Sequence, residues 1–126
     1  MSARVLVVVE NDPDFLLLIR LHLEEDDRIE ITGEAGSADE AMEMVRAAGP
    51  GLVILDHYLR GEVRGLETAP RLRREAPGVK ILLLSSDNLS GEAQAEPAVD
   101  AFVWKGEIER LLPTTQRLLG LAPVTA

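Results

Sequence analysis

The chain has 126 residues, 46% of them hydrophobic and 28% charged, the size and mix of one globular domain with a core of its own. Basic residues number 13 against 22 acidic ones, a net charge of −9, and the longest basic cluster, Arg71-Leu72-Arg73-Arg74, reads as one solvated helix face; this argues against nucleic acid and anionic membranes as partners. With no cysteine, no apolar run of 18 residues and only His22 and His57 as histidines, the chain excludes disulfides, thiolate metal sites, a membrane-spanning helix and a histidine-rich metal centre.

Apolar runs and helical patterns alternate along the chain. Val5 to Val9 is a β-branched run, the pattern of a strand buried on both faces. It is too short for a secretory signal, which points to a cytoplasmic protein. Asp12-Pro13 opens a helix to about Glu25, with Asp12 as N-cap and Pro13 in the first turn. Ile29 to Gly33 is a short strand. Ser37, with Glu40 three residues on, caps a second helix whose apolar stripe is Ala41, Met44, Val45 and Ala48. Leu52 to Leu55 is a third strand, ending at Asp56. A loop to Gly65 precedes a helix to about Ala76. Lys80 to Leu84 is the fourth strand, ending at Ser85-Ser86, and Ser90 to Glu96 is a weak helical segment. Ala101 to Trp104 is the fifth strand, ending at Lys105, with Trp104 expected to pack within it. The last helix is expected over Glu107 to Leu119, interrupted by Pro113, with a tail from Leu121 to Ala126.

Five strand–helix units in alternation imply a parallel sheet with right-handed crossovers and helices on both faces. The pattern predicts a single domain over residues 1–126, core about 4–119, with no second domain attached.

In an open parallel sheet, ligands bind beyond the carboxyl ends of the strands. Those ends carry Glu10-Asn11-Asp12, Asp56, Ser85-Ser86 and Lys105, with Glu34 at the sheet edge. Carboxylates, a carboxamide, a hydroxyl and an ammonium on one rim suit a hard divalent cation, foremost Mg²⁺, and an anion held between that cation and Lys105. The chemistry implied is phosphoryl transfer to a carboxylate, with Asp56 as nucleophile. Asp12 is better spent as a helix cap, and His57 has no second histidine to share a metal with.

Four segments carry a family resemblance: Val-Leu-Val-Val-Val-Glu-Asn-Asp-Pro-Asp at 5–14, Leu-Val-Ile-Leu-Asp-His-Tyr-Leu-Arg-Gly at 52–61, Lys-Ile-Leu-Leu-Leu-Ser-Ser at 80–86 and Ala-Phe-Val-Trp-Lys at 101–105. In order and at strand ends, they resemble the receiver domain of bacterial two-component response regulators over residues 4–119. The resemblance implies a flavodoxin-like (βα)5 fold, a doubly wound parallel sheet of strand order 2-1-3-4-5. It implies Asp56 as acceptor of a phosphoryl group from a histidine kinase or phosphotransfer protein. It further implies Mg²⁺ held by Glu10, Asn11, Asp56 and the Tyr58 carbonyl, Ser85 as switch hydroxyl, Phe102 as switch aromatic, and Lys105 as the phosphoryl contact. Phosphorylation would then bias the face made by the fourth helix, fifth strand and fifth helix toward a downstream protein.

The sequence departs from that pattern in four places. Asn11 stands where a second Asp is usual, and Gly106 where Pro is common, so a cis peptide is not expected there. Pro97 and Pro113 fall in or beside the last two helices, and the stretch from Ser85 to Lys105 is short. A pseudo-receiver, acting as a phosphorylation-independent interaction module, is the alternative that Asn11 and the altered fourth helix favour and the Asp56, Ser85, Lys105 set opposes. A covalent phosphatase ranks last, since 126 residues leave no cap over a substrate; the expectation is a signalling protein, not an enzyme. The first helix, with Phe15, Leu16, Leu17, Leu18, Ile19, Leu21 and Leu23, is apolar beyond the stripe of about 100° that a sheet covers. Its excess is read as deep burial or as a docking edge for a kinase or a second copy of the chain.

Overall fold

The computed structural model describes residues 3–8, 10, 12–59, 61 and 63–123, with the backbone alone for residues 3, 4 and 6–8. Five strands, β1 (Ala3–Val8), β2 (Ile29–Ala35), β3 (Leu52–Asp56), β4 (Lys80–Ser85) and β5 (Ala101–Trp104), form one sheet in the order β2-β1-β3-β4-β5, every neighbouring pair parallel. The helices between them are α1 (Pro13–Leu23), α2 (Ala38–Ala48), α3 (Gly65–Glu75) and α4 (Ser90–Ala95). A 3₁₀ segment, Lys105–Arg110, leads into α5 (Leu111–Leu118). Among the described residues no helix is long and apolar enough to cross a membrane.

The strands at the centre bury both faces, which is why their sequences do not alternate in polarity. Leu52, Ile54, Leu82 and Leu84 meet Ile19 and Leu23 of α1 and Leu111 of α5. Val53, Leu55, Ile81 and Leu83 meet Ala41 and Val45 of α2 and Ala69 and Leu72 of α3. Each fully buried leucine stabilises by roughly 1.5–3 kcal/mol. The two layers hold β1, β3 and β4 rigid, so their carboxyl ends form a fixed rim.

Helix starts follow the expected chemistry. Asp12 accepts the Asp14 N–H at 2.9 Å with Pro13 in the first turn. Ser37 accepts the Glu40 N–H, and Glu40 returns a bond to the Gly36 N–H. Gly49 closes α2 at φ 56°, a left-handed value glycine adopts without strain.

Several expectations change. Strand β2 runs two residues past Gly33, to Ala35, after a register shift against β1 between Val5 and Leu6. Met42 is buried in the core with Ala41 and Val45, and Met44 packs against that cluster only partly buried. The last α-helix begins at Leu111: Glu107 has non-helical angles, and Pro113 falls in the first turn of α5, where its missing N–H costs nothing. Arg71–Arg74 is not one solvated face, since Leu72 is fully buried and Arg73 bonds to Asp100 and to the Ala98 carbonyl. Asp100 also accepts the Ile81 N–H at 2.8 Å, so this pair pins the start of β5 beneath an α4 of only six residues. Deep burial does not account for all of α1, because Leu17 and Leu21 are 56% and 55% exposed.

Candidate functional site

The rim is built by the ends of β1, β3, β4 and β5. Asp56 is the last residue of β3 and is buried, with its side chain 4% exposed. Lys105 follows β5 and reaches across the rim. Its Nζ donates to Asp56 Oδ2 at 2.8 Å and also to Glu10 Oε1, so one ammonium bridges two carboxylates. Glu10 Oε2 in turn accepts the Asp12 N–H, which ties the loop after β1 to the start of α1. The ring of Phe15, in the first turn of α1, lies 4.3 Å from Lys105 Nζ, a cation–π seat that keeps the ammonium in place.

One cation serves two nearly dry carboxylates, and the electrostatics reflect it. Burial raises the Glu10 carboxyl to about 7; the neighbouring Asp56 adds to the rise and Lys105 opposes it. Burial pulls the Lys105 ammonium down, but its bonds to Asp56 and Glu10 outweigh this and hold it above the ordinary lysine value. The site therefore carries an excess of negative charge that a further cation would relieve. Among the described residues no group of three acidic or histidine side chains is arranged for a metal. The hard oxygen donors in place are the carboxylates of Glu10 and Asp56, which fit Mg²⁺ in kind. Asn11, the remaining side-chain ligand expected, lies outside the described residues.

The other side of Asp56 is shaped by backbone. The Tyr58 N–H donates to Asp56 Oδ1 at 3.2 Å. The His57 N–H donates to the Leu84 carbonyl at 2.8 Å, and the His57 carbonyl accepts the Gly65 N–H at 2.7 Å. A Cβ at Gly65 would stand 2.3 Å from the Asp56 carbonyl oxygen, so glycine is required where α3 passes under the site. His57 Nδ1 accepts the Leu66 N–H; burial first and Arg64 second lower its pKa.

Ser85, fully buried at the end of β4, accepts the Asp87 N–H at 3.0 Å through Oγ. The Asp87 carboxylate accepts the Tyr58 hydroxyl, and Arg64 lies 5.0 Å above the Tyr58 ring. Tyr58 and Asp87 thus link the loops after β3 and β4 across the mouth of the site. Phe102 is half-buried on β5, against α4, and lines a cavity of about 540 Å³ together with Asn88, Gln94, Val99, Trp104 and Arg110. Trp104 departs from the strand-packing expectation: it is partly exposed, and its indole N–H donates to the Ser86 carbonyl at 2.9 Å.

Glu10, Asp56 and Lys105 are therefore in mutual contact, Tyr58 joins them through its N–H to Asp56, Ser85 stands at the end of the neighbouring strand, and Phe102 stands apart. Phe15, Gly65 and Asp87 were not singled out from sequence. Gly65 carried a signal, as a glycine at a loop-to-helix junction beyond Asp56; Phe15 and Asp87 carried none, because only the fold sets them against Lys105 and Tyr58.

Comparisons with known proteins speak to the family and the fold. The family model for the response regulator receiver domain matches residues 6–112. The nitrogen assimilation regulatory protein NtrX of Azorhizobium caulinodans is 31% identical over 126 aligned residues, covering 93% of this chain and 26% of that protein. The chain spans between 23% and 42% of the length of the curated relatives it matches. The crystal structure of the response regulator domain of Thermotoga maritima CheB is similar at a TM-score of 0.78 and 17% identity, covering 98% of this chain and all of that one. A LuxR-family two-component response regulator from an Aurantimonas species superposes at a TM-score of 0.84 and 22% identity, over 95% of this chain and 86% of that one. At these identities the structural matches speak to the fold alone.

Proposed function

The chain belongs to the response regulator receiver domains of two-component systems, and from that premise we propose that Asp56 accepts a phosphoryl group from a phosphohistidine donor, a histidine kinase or a phosphotransfer protein. The observation that carries the reading is the buried Asp56 carboxylate held by Lys105 at the carboxyl end of β3. In the transfer, an Asp56 oxygen forms the bond to phosphorus as the phosphorus–nitrogen bond of the donor breaks, and the departing imidazole takes a proton. Lys105, freed in part from Asp56, then pairs with the incoming phosphoryl oxygens. Tyr58 keeps the carboxylate oriented through its N–H. Ser85 supplies a hydroxyl beside the site.

Mg²⁺ would be held by the carboxylates of Glu10 and Asp56, the Tyr58 carbonyl and residue Asn11. When bound it would neutralise charge on the transferring phosphoryl group. The role is signalling rather than turnover: the phosphorylated state presents a changed face, including Phe102, to a downstream protein.

Incubation of the protein with acetyl phosphate and Mg²⁺, followed by intact mass, tests the reading. One acid-stable, base-labile phosphoryl adduct per chain is expected, absent from Asp56→Ala. An adduct that persists in Asp56→Ala removes the assignment, and no adduct from any donor favours the phosphorylation-independent interaction module.

A further inference from the structure

Phe15 is the third residue of α1, and its ring packs half-buried against the layer that joins α1, α5 and the sheet. The same corner of the chain supplies Glu10. The loop after β1 and the first turn of α1 therefore present a carboxylate and an aromatic face to one ammonium, that of Lys105, which lies 95 residues beyond Glu10. The corner is stiff, because Glu10 accepts the Asp12 N–H and Asp12 in turn caps α1. The Lys105 side chain is only 17% exposed. Of the three N–H groups an ammonium carries, Asp56 and Glu10 take bonds, and the Phe15 ring centroid lies 4.3 Å from Nζ. A cation–π attraction of this kind strengthens as water is excluded.

We propose that Phe15 is the positioning residue for Lys105 in phosphoryl transfer: its ring is a neutral seat that keeps the ammonium at the rim while the carboxylates give it up. The proposal rests on the Asp56 reading above and concerns how that same site is held ready. Both carboxylates are temporary partners. Asp56 loses its charge when its oxygen bonds phosphorus, and the oxygens of Glu10 and Asp56 are those a divalent cation would take. An ammonium held by these two alone would drift toward solvent as transfer begins. The ring changes charge at no step, so its attraction persists throughout. A further carboxylate in its place would hold the lysine but repel an incoming phosphoanion. Burial and Asp56 already push the Glu10 carboxyl up, so this rim tolerates added negative charge poorly. Seated on Phe15, the flexible lysine stem meets the phosphoryl oxygens from a fixed position, with little reorganisation at the moment of reaction.

Lys80 and Lys105 are the chain's two lysines, and Lys80 is exposed, so lysine-selective isotope labelling gives one signal from the site and one control. Protons over the face of an aromatic ring resonate upfield. In the full chain the Lys105 ε-methylene signal should lie upfield of that of Lys80, and should stay there in saturating Mg²⁺ without donor. In Phe15→Leu it should fall to the Lys80 position. With acetyl phosphate and Mg²⁺, intact-mass kinetics should show Phe15→Leu slowed about 2- to 30-fold, the range of exposed to desolvated cation–π contacts. Phe15→Tyr, which keeps the face, should recover the lost rate. Pentafluorophenylalanine at position 15 keeps the ring's shape and reverses its quadrupole, and it should slow transfer at least as much as leucine. With Lys105→Met already present, Phe15→Leu should slow transfer no further. An unchanged rate with the fluorinated ring overturns the seat and leaves Asp56 as acceptor. So does an equal loss from Phe15→Leu with and without Lys105, or a Lys105 signal that leaves the ring when Mg²⁺ is added. Absence of any adduct on the wild type overturns both.

Discussion

Gln116 of α5 donates a hydrogen bond to Asp26 at 2.9 Å, joining two buried polar side chains 90 residues apart in the chain. The Asp26 carboxylate also accepts from Nε, Nη2 and the backbone N–H of Arg28. Arg28 Nη2 continues to the Ala122 carbonyl. The turn between α1 and β2 is thus fastened to the end of α5, on the side of the sheet opposite α2 and α3.

This knot makes stability depend on pH. Bonds from Arg28 first and Gln116 second hold the Asp26 carboxyl well below the usual carboxylate range, against the opposing effect of burial. A depressed carboxylate contributes stability that is complete above its unfolded pKa of about 3.9 and is lost as pH falls toward the folded value. Resistance of the wild type to chemical denaturation should therefore fall as pH drops below about 4. Asp26→Asn should flatten that acid limb and cost about 2–3 kcal/mol at pH 7, below the 3–5 of a fully buried pair because Arg28 reaches solvent. Identical acid limbs in the two proteins would dismiss the knot as a source of pH dependence.

Gly65 sits under Asp56 with no room for a methyl group. The atoms a Cβ would meet, at 2.3 and 2.9 Å, belong to the Asp56 backbone and cannot rotate aside. Gly65→Ala should cost about 2–3 kcal/mol, lowering the melting temperature by about 10 °C, and should slow phosphorylation of the displaced Asp56. Gly78, with nothing within 4 Å of its Cβ position, is the control, and Gly78→Ala should leave both quantities in place. Equal melting temperatures for the two variants would mean that α3 yields at this crossing.

Leu17 and Leu21 lie one helical turn apart on the exposed side of α1. Neither contributes to the core, so Leu17→Ser with Leu21→Ser should change stability by no more than about 0.5 kcal/mol. If the pair docks a protein phosphodonor, its loss should slow transfer from that donor about 10-fold or more, as truncated anchor residues do. Transfer from acetyl phosphate should be untouched. Equal slowing with both donors would assign the leucines to the fold rather than to docking.

What was legible in the sequence follows from the range of each interaction. The strands β3 and β4 read directly, because burial on both faces forces continuous apolar runs. Asp12 and Ser37 read directly, because a cap bonds within three residues. The strand-end residues Glu10, Asp56 and Lys105 were found because a parallel sheet delivers strand ends to one rim. The link from Asp26 to Gln116 was not legible, because the two lie 90 residues apart in the chain and nothing local marks Gln116. Arg73 looked solvated until Asp100 closed on it. The onset of α5 was placed too early because Glu107 and Ile108 fit helical periodicity, whereas the 3₁₀ turn that delivers Lys105 to Asp56 occupies them. Trp104 looked like a packing residue because its bond to the Ser86 carbonyl depends on the backbone path after β4.

Lys105 is the residue whose removal should separate metal binding from phosphoryl transfer. Its ammonium bonds both carboxylates that would ligate Mg²⁺, so it competes with the ion for the same oxygens. Lys105→Met keeps the length of the side chain and its contact with Phe15 while deleting the charge. Two nearly buried carboxylates are then left facing each other, to be relieved by a bound cation or by a proton on Glu10. At an effective dielectric near 20, a full unit charge at 4 Å from a dication would count for about 8 kcal/mol. The wet rim and side-chain relaxation screen most of that, so Mg²⁺ should tighten by about 10-fold. Phosphorylation should move the other way, slowed about 100-fold or more, because a donor aimed at the developing phosphoryl charge is gone. Calorimetric titration with Mg²⁺ and intact-mass kinetics with acetyl phosphate measure the two effects on one preparation. A variant in which metal affinity and rate fall together would make Lys105 a structural brace of the rim, and its contact with the phosphoryl group would have to be given up.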